Sequence, residues 1–281
     1  TGRHTKILYT AHDYQLLCPN HMPNRPDTME NCTPCLGGKY TPCVQHRCMH
    51  GSRAKSLLGA AEATLYRKAH TYKQIDRVIC CSAFMQSQIE KHPDLAGRTR
   101  VLHNFCTVPP RPQVKKEDYV LYFGRYDKEK GIDTLLAAAK ALPQLHFVLA
   151  GSGTMAEEIQ QLPNATDVGF CTGDDLYRRI AAAKCSIYPS VWYENCPYSV
   201  MESIALGTPV LGTNIGGIPE LIEDGKTGVL LPLGDAKALG GALCRLDLEP
   251  ERLAAMTAAC RADAFLSVQD YTDRLLSDYN A

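Results

Sequence analysis

The sequence lacks several features that mark particular classes of protein. Its 30 Lys and Arg residues are balanced by 30 Asp and Glu, so it has no net positive charge with which to hold a nucleic acid. It has no apolar run as long as a membrane span and no internal repeat of the solenoid type. These absences favour a globular protein of one or two domains without a nucleic-acid partner, and a hydrophobic content of 45% is enough for its cores.

The balanced charge hides an uneven distribution along the chain. Residues 1–118 carry 17 Lys and Arg against 9 Asp and Glu, whereas residues 119–281 carry 13 against 21. A basic first part and an acidic second part indicate two units with different partners. Chance variation in solvated surface charge would explain the same counts, and both interpretations remain.

From residue 119 onward, short apolar stretches alternate with stretches of helical periodicity. The strand candidates are YVLYFG, HFVLAGSG, ATDVGF, CSIYPS, PVLGTN and GVLLPL, and helix candidates such as GIDTLLAAAKAL, DDLYRRIAAA and IPELIED lie between them. This alternation predicts right-handed crossovers and a parallel, doubly wound sheet. Ligands of such sheets bind at the carboxyl ends of the strands, in the loops that lead into the helices.

Before residue 106 the pattern is weaker. KILYTAHD, RVICCSA and TRVLHNF are strand candidates, and residues 52–76 form a long, basic helical stretch. Residues 14–50 are loop-like and rich in Cys, Pro and Asn. Residues 107–118 are polar and rich in Pro, which predicts a linker.

One segment, WYENCPYSVMESIALGTPV from Trp192 to Val210, predicts a helix with an unusual start. Pro197 suits the first helical position, because its missing N–H costs nothing there. We therefore predict a helix from Pro197 to Leu206 that ends at Gly207. The free N–H groups at its start point toward the carboxyl edge of the sheet and favour a phosphate group.

Two glutamates flank this helix start. Glu194 lies just before it, and Glu202 follows Ser199 and Tyr198 by three and four residues and so shares their face. Carboxylates repel phosphate, so we expect both of them to bind hydroxyl groups. The combination suits a nucleotide sugar, with one carboxylate on the ribose and the other on the hexose. The alternative is an ordinary loop glutamate and a solvated helix glutamate.

This segment, continued by GGIPELIEDGKTGVLL, resembles the retaining GT-B glycosyltransferases, which are family four of the glycosyltransferase classification, also called glycosyl transferases group 1. The resemblance extends to YVLYFGRYDKEKGIDTLLAAAKAL and FVLAGSG, and covers most of residues 101–235. It implies an α/β fold of the GT-B type, with two Rossmann-like domains built on doubly wound parallel sheets.

The resemblance also implies roles for individual residues. Glu194 would contact the hydroxyl groups of the transferred sugar and Glu202 the ribose. Arg125 and Lys130 in GRYDKEKG match the basic pair that stabilises the diphosphate, although by spacing alone they are surface charges at a helix start. The remaining expected donor-binding residues are Gly151, Gly153, Val168, Phe170, Asn195, Cys196, Tyr198 and Ser199.

The first part of the chain matches the family more thinly. YTAHDY resembles a strand that ends in a histidine near the donor sugar, which would be His12, and a purely structural histidine is the alternative. The family's opening strand and its Gly-rich loop are absent, so we expect an incomplete N-terminal domain, belonging either to a fragment or to a chain that needs a partner.

The predicted organisation combines these patterns. Residues 1–106 form a partial acceptor-side domain with the Cys-rich loop, residues 107–118 are the linker, and residues 119–266 are the donor domain. Residues 267–281 form a C-terminal helix that packs back toward the first domain.

The Cys-rich loop has the spacing Cys32-x2-Cys35-x7-Cys43-x4-Cys48, with Cys18, His46 or His50 as further candidate ligands. Four such residues fit a structural zinc site, although the spacing is not that of a standard zinc finger. An iron–sulfur cluster and cysteines without metal, either reduced or linked as disulfides, are the alternatives. The other cysteines are scattered, which is typical of a reducing compartment.

The family resemblance implies a retaining hexosyltransferase. We expect a UDP- or GDP-sugar donor, a glycan or lipid-linked acceptor, and no cofactor for catalysis, since cations already serve the diphosphate. The alternatives are a donor-binding module or scaffold without turnover and a nucleotide-sugar epimerase of the same fold. We expect a cytoplasmic protein, with the basic stretch 52–77 as a candidate contact with the inner face of the membrane.

Overall fold

Within the described residues, two parallel β-sheets organise the chain, one in each of two units. The computed structural model describes residues 5–263 and 265–280. The first unit comprises residues 1–104 and 269–281, and the second comprises residues 105–268.

In its described part, the first unit has a three-stranded parallel sheet in the order β1-β2-β3. The strands are β1 (Leu8–Ala11), β2 (Arg77–Cys80) and β3 (Thr99–Val101). The helices are α1 (Thr41–Gln45), α2 (Arg53–Lys68), α3 (Ala83–Ile89) and, from the end of the chain, α10 (Val268–Asn280), with 3-10 helices at Pro34–Gly37 and Thr71–Gln74. The buried carboxylate of Asp278 in α10 accepts hydrogen bonds from Arg77, at 2.9 Å, and from Arg100.

The helix α2 is shorter than the predicted stretch 52–76. Its start is fixed by Ser52, whose side chain accepts a hydrogen bond from the N–H of Lys55. Its end follows from the backbone of His70, whose φ of 51° lies in the left-handed region and cannot continue a helix. The periodicity of the side chains continues past this point, and so it gave no sign of the break.

The second unit, as far as it is described, contains a six-stranded parallel sheet in the order β6-β5-β4-β7-β8-β9. The strands are β4 (Val120–Arg125), β5 (Phe147–Ser152), β6 (Ala165–Asp167), β7 (Cys185–Tyr188), β8 (Val210–Thr213) and β9 (Gly228–Leu231). The helices are α4 (Ile132–Ala141), α5 (Ala156–Gln160), α6 (Gly173–Ala182), α7 (Tyr198–Ala205), α8 (Ala236–Leu248) and α9 (Pro250–Ala262), with 3-10 helices at Lys128–Lys130 and Ile218–Glu220.

The central strand β4 shows why the strands read as nearly continuous apolar runs. Val120 and Tyr122 pack into the core that includes α4 and α8, whereas Leu121 and Phe123 pack into the core that includes α6. Alternate side chains of a strand face opposite sides of the sheet, so helices on both faces demand apolar residues at every position.

Two sequence predictions about helices in this unit need correction. IPELIED forms only the 3-10 helix Ile218–Glu220, because the chain turns back at once: Thr227 accepts a hydrogen bond from the N–H of Glu223, and Gly225 has a φ of 77°. The helix α7 begins at Tyr198 rather than at Pro197, which is the extended N-cap residue with a ψ of 123°.

Residues 107–118, the predicted linker, belong to the second unit and have no regular secondary structure. Val108 and Val114 pack against the core on the α6 side of the sheet. The ammonium group of Lys116 donates to the carbonyl of Ala183 and to the hydroxyl of Thr208, and burial lowers its pKa to about 8. This segment is therefore held against the sheet along its length.

Candidate active site

Arg125 stands at the carboxyl end of β4, in the middle of the second sheet. Its guanidinium group donates to Asp127 Oδ2 at 2.6 Å and to Glu129 Oε1 at 2.8 Å. Asp127 is held in turn by the N–H and hydroxyl groups of Thr154. With 58% of its side chain exposed, Arg125 is oriented by fixed carboxylates and still open to a ligand.

Lys130 is positioned by a turn that requires glycine. Gly131 has a φ of 75°, and a Cβ atom there would lie 1.8 Å from the carbonyl oxygen of Pro189. The turn seats the end of the 3-10 helix Lys128–Lys130 against the segment that follows β7. The Lys130 ammonium group lies 5.1 Å from the ring centroid of Trp192 and 6.0 Å from that of Tyr188, within reach of cation–π attraction.

Three donors converge on one oxygen of Glu194. Its Oε1 accepts from Lys130 Nζ at 2.6 Å, from Trp192 Nε1 at 2.6 Å and from Ser190 Oγ at 2.9 Å. Only 9% of the Glu194 side chain is exposed. Burial and the negative charge of Glu194 raise the pKa of Tyr188 well above its usual value. The ion pair and the hydrogen bonds together compensate the desolvation of the carboxylate.

The backbone of Glu194 is held by the glycine pair that follows β8. The N–H of Gly217 donates to the carbonyl oxygen of Glu194 at 2.7 Å. A Cβ atom on Gly216, whose φ is 59°, would lie 2.2 Å from the same oxygen. The GG pair of GGIPE is thus needed for close packing against the residue that holds Lys130.

The start of α7 supplies backbone donors at the carboxyl edge of the sheet. The carbonyl of Pro197 accepts from the N–H groups of Val200 and Met201. The N–H of Ser199 donates to no acceptor within the described residues. Such a helix start attracts an anion.

Glu202 lies one turn into α7 and is half-buried. Burial raises the pKa of its carboxyl group. The negative charge of Glu202 contributes to the raised pKa values of Cys106 and Tyr177, so both side chains are its neighbours. Its carboxylate accepts no side-chain hydrogen bond from any residue of the described ranges. It is therefore open to a hydroxyl group of a ligand.

The two glycines after β5 have a packing role that the sequence did not reveal. A Cβ atom on Gly151 would lie 1.9 Å from the carbonyl oxygen of Gly124, and one on Gly153 would lie 2.6 Å from the backbone of Tyr126. Both glycines let the ends of β4 and β5 approach each other. Their contact with a donor stays a prediction.

The other expected donor-binding residues surround the same edge. Val168 is half-buried and donates its N–H to Leu149, and Phe170 is 78% exposed. Asn195 is half-buried, whereas Cys196 is buried with its thiol 3.7 Å from the sulfur of Met201. Tyr198 is 45% exposed at the first position of α7. An exposed ring such as Phe170 offers a face on which a base can stack.

His12 belongs to the first unit and follows the end of β1 directly. Its side chain is exposed, and it has neighbours within the structure. The carboxyl end of a parallel strand is where ligands of such sheets bind. Its proposed role near the donor sugar stays a prediction.

The five cysteines of the Cys-rich loop come together around one cavity, whose sulfur-bearing residues are Cys18, Cys32, Cys35, Cys43 and Cys48. As placed, no three His, Cys, Asp or Glu side chains in residues 5–263 and 265–280 are arranged to hold one metal ion. All thirteen cysteines of the chain are free thiols.

Sequence reasoning missed several residues that shape this site. Ser190 and Trp192 donate to Glu194, and Asp127 and Glu129 hold Arg125. Their only sequence signal is position, because each lies within four residues of a predicted site residue. The turn at Gly131 had a clearer sequence signal, because the pair Lys130-Gly131 stands directly before a predicted helix.

Comparison with known proteins places the chain among glycosyl transferases. Residues 109–263 match the family model described as Glycosyl transferases group 1. The matched range includes Arg125, Lys130, Glu194 and Glu202.

Curated relatives have related descriptions. The chain is 28% identical to glycogen synthase of Mycobacterium tuberculosis (strain ATCC 25618 / H37Rv) over 218 residues, which are 69% of this chain and 52% of that protein. It is 33% identical to D-inositol 3-phosphate glycosyltransferase of Mycobacterium avium (strain 104) over 177 residues, 58% of this chain and 42% of that protein. The chain spans about half the length of the curated relatives that it matches.

Solved structures share the fold. HepE of Anabaena in complex with UDP superposes with a TM-score of 0.69 at 18% identity, covering 98% of this chain and 72% of that chain. Sucrose-phosphate synthase of Thermosynechococcus elongatus gives a TM-score of 0.70 at 21% identity, covering 97% of this chain and 67% of that chain. These similarities confirm the predicted α/β class of the GT-B type, and the three-stranded sheet of the first unit fits a partial N-terminal domain.

Proposed function

Because the chain belongs to the glycosyl transferases group 1 family, we propose that it transfers a hexose from a UDP- or GDP-sugar to a glycan or lipid-linked acceptor with retention of anomeric configuration. The observation that carries this proposal is the grouping of Lys130, Glu194 and the start of α7 at the carboxyl edge of the second sheet. UDP is also the ligand named for the HepE structure of the same fold.

The charges of the site suit a sugar diphosphate. Lys130 has three donors and uses one of them on Glu194, so donors remain for phosphate oxygens. Arg125 and the free N–H of Ser199 add further positive potential at the same edge. As the bond between sugar and diphosphate breaks, negative charge grows on the departing phosphate, and these groups stabilise it.

Glu194 serves the reaction in two ways under this proposal. It fixes the position of the Lys130 ammonium group. Its remaining acceptor capacity takes a hydrogen bond from a hydroxyl group of the transferred sugar. We propose front-face attack in keeping with the family resemblance: the acceptor hydroxyl forms the new bond on the face that the diphosphate leaves. The departing phosphate oxygen then takes the acceptor proton, so no separate base is needed.

The experiment that tests this function incubates the protein with UDP- and GDP-sugars, with and without glycan and lipid-linked acceptors. Nucleotide release that depends on the acceptor, with an α-linked product from an α-linked donor, is the expected result. A changed sugar on the nucleotide would identify an epimerase instead. Donor binding without turnover in every combination would identify a binding module and reject the proposed transferase.

Replacing Glu202 with Gln should weaken donor binding more than catalysis. A hydrogen bond to a charged group is worth about 1.5–3 kcal/mol, so we expect KM for the donor to rise roughly ten- to a hundredfold with little change in kcat. In the unchanged protein, donor affinity should fall as the pH drops, and at a higher pH than for an ordinary glutamate, because burial raises the pKa of Glu202.

Initial-rate kinetics across pH check this prediction, with Glu223→Gln as the control on an exposed glutamate of the same unit. The acid-side loss of affinity should disappear in Glu202→Gln and persist in the control. An unchanged KM in Glu202→Gln would remove this residue from the donor site.

We also propose that α2 contacts the cytoplasmic face of a membrane, where a lipid-linked acceptor would lie. No helix of the described ranges is both long and apolar enough to span a bilayer. Leu57, Leu58 and Leu65 are 60%, 72% and 63% exposed, and Lys55 and Lys68 are exposed on the same helix. Exposed leucines beside lysines suit anionic lipid, and free cysteines suit a cytoplasmic setting.

Reversing two of these charges, Lys55→Glu with Lys68→Glu, should abolish a salt-sensitive preference for anionic vesicles. Each well-placed basic residue contributes about 1 kcal/mol at an anionic surface, so the partition coefficient should fall by at least tenfold. Arg67 is not suited to this test, because its guanidinium group sits against Gly38 inside the unit. Vesicle sedimentation makes the measurement, with Lys140→Glu and Lys237→Glu as the matched reversal elsewhere. Equal sedimentation with neutral and anionic vesicles would reject the contact.

A further inference from the structure

The cavity of the Cys-rich loop has features that packing alone does not explain. It has a volume of about 380 Å³ and is walled by five thiols together with polar residues such as Arg25 and His46. The thiols come from separate places along the loop, so the cavity joins its beginning, middle and end. Thiolates are among the ligands that zinc and other soft divalent metals prefer.

The loop has little regular structure, which is limited among its described residues to the 3-10 helix Pro34–Gly37 and the five residues of α1. Tyr14 and Leu17 anchor its beginning in the core. Farther along, three of the five buried members of the apolar cluster are cysteines, and the other two are Tyr40 and Ala60. A metal that links these thiols would therefore cross-link the part of the loop where they make up most of the buried cluster.

The thiols are near neighbours. The side chains of Cys43 and Cys48 are hydrogen-bonded to each other, and Cys35 is within electrostatic range of both Cys32 and Cys48. All five thiols line the same cavity, so the loop brings them into one neighbourhood.

We infer that this cavity binds one zinc-class divalent ion through four thiolates, of which Cys32, Cys35 and Cys48 are three. Cys32 and Cys35 are separated by two residues, as in many zinc sites. Cys32 precedes the 3-10 helix Pro34–Gly37, and Cys35 is its second residue. The fourth ligand is Cys18 or Cys43, since both line the cavity.

Under this proposal the site closes by rotation of cysteine side chains about χ1 into the cavity that they line. The ion forms four metal–sulfur bonds and releases the four thiol protons, so that one Zn²⁺ and four thiols give a four-thiolate complex with two net negative charges. Arg25 also lines the cavity, and its guanidinium charge partly offsets that negative charge.

Metal analysis of the full chain tests the inference without reference to sugar transfer. The protein is purified with a phosphine reductant and without chelator, and zinc is measured by mass spectrometry. We expect about one zinc per chain. The variants Cys32→Ser, Cys35→Ser and Cys48→Ser should each lose the zinc. Of Cys18→Ser and Cys43→Ser, only the variant that removes the fourth ligand should lose it. Cys244→Ser, in α8 of the second unit, is the matched control and should retain it.

A second measurement uses the unsubstituted chain, so it tests the inference even if the cysteine variants do not fold. The unsubstituted chain, stripped with a chelator under reducing conditions, is titrated with Co²⁺. Tetrahedral thiolate coordination should give intense sulfur-to-cobalt charge-transfer absorption that one equivalent of Zn²⁺ abolishes. The inference is overturned by a chain that is purified free of metal and gives no such absorption. Undiminished zinc in the Cys32→Ser, Cys35→Ser double variant overturns it equally.

Discussion

The double replacement Arg125→Ala with Lys130→Ala should lower kcat/KM for transfer by roughly 10²–10⁴-fold. Each side chain is expected to contribute a charge-assisted contact of about 1.5–3 kcal/mol with the diphosphate, and every 1.4 kcal/mol is worth about tenfold in rate. The loss should fall mainly on kcat, because the negative charge on the leaving group is greatest in the transition state.

The control for this experiment is a lysine two residues before Lys130. Lys128→Ala removes an exposed lysine from the same 3-10 helix as Lys130 and should leave activity near normal. Lys130→Arg tests whether charge alone suffices, since a planar guanidinium group does not reproduce the position of an ammonium group between Glu194 and Trp192. Near-normal turnover by the double variant, with its fold confirmed by circular dichroism, would rule out the diphosphate role.

The sequence indicated the individual candidate residues better than the contacts among them. Arg125, Lys130, Glu194 and Glu202 stood out because the segments that contain them resemble those of a known family. The bond between Lys130 and Glu194 was not, because it depends on β4 and β7 being adjacent in the sheet although β5 and β6 come between them in the chain. Strand order of this kind is a tertiary property that local pattern does not contain.

Backbone geometry was the other source of error. The prediction for residues 52–76 failed at His70, where a non-glycine residue takes the left-handed conformation and ends the helical run. IPELIED has helical periodicity, yet a turn at Gly225 returns the chain to β9 before a helix can develop. In both cases the backbone leaves the helical conformation although the local periodicity favours a helix.

Glu194→Ala should damage both stability and transfer, because it removes the acceptor that Lys130, Ser190 and Trp192 share. Only 16% of the Lys130 side chain is exposed, so its ammonium group would be left largely buried without a counter-charge. Breaking a buried ion pair in this way costs about 3–5 kcal/mol of stability. We therefore expect a clear fall in the urea midpoint together with a loss of transfer.

Three comparisons separate the structural effect of Glu194 from its catalytic one. Glu194→Gln keeps an oxygen for Trp192 and Ser190 but removes the charge, so it should retain more stability than Glu194→Ala and still lose transfer by roughly ten- to a hundredfold. Glu223→Ala breaks an exposed pair with Lys226 and should change neither property measurably. The double variant Glu194→Ala with Lys130→Ala should recover part of the lost stability, because no charge is then left unpaired, but none of the activity. If Glu194→Ala matched Glu223→Ala in both measurements, the carboxylate would have no part in holding Lys130 for catalysis.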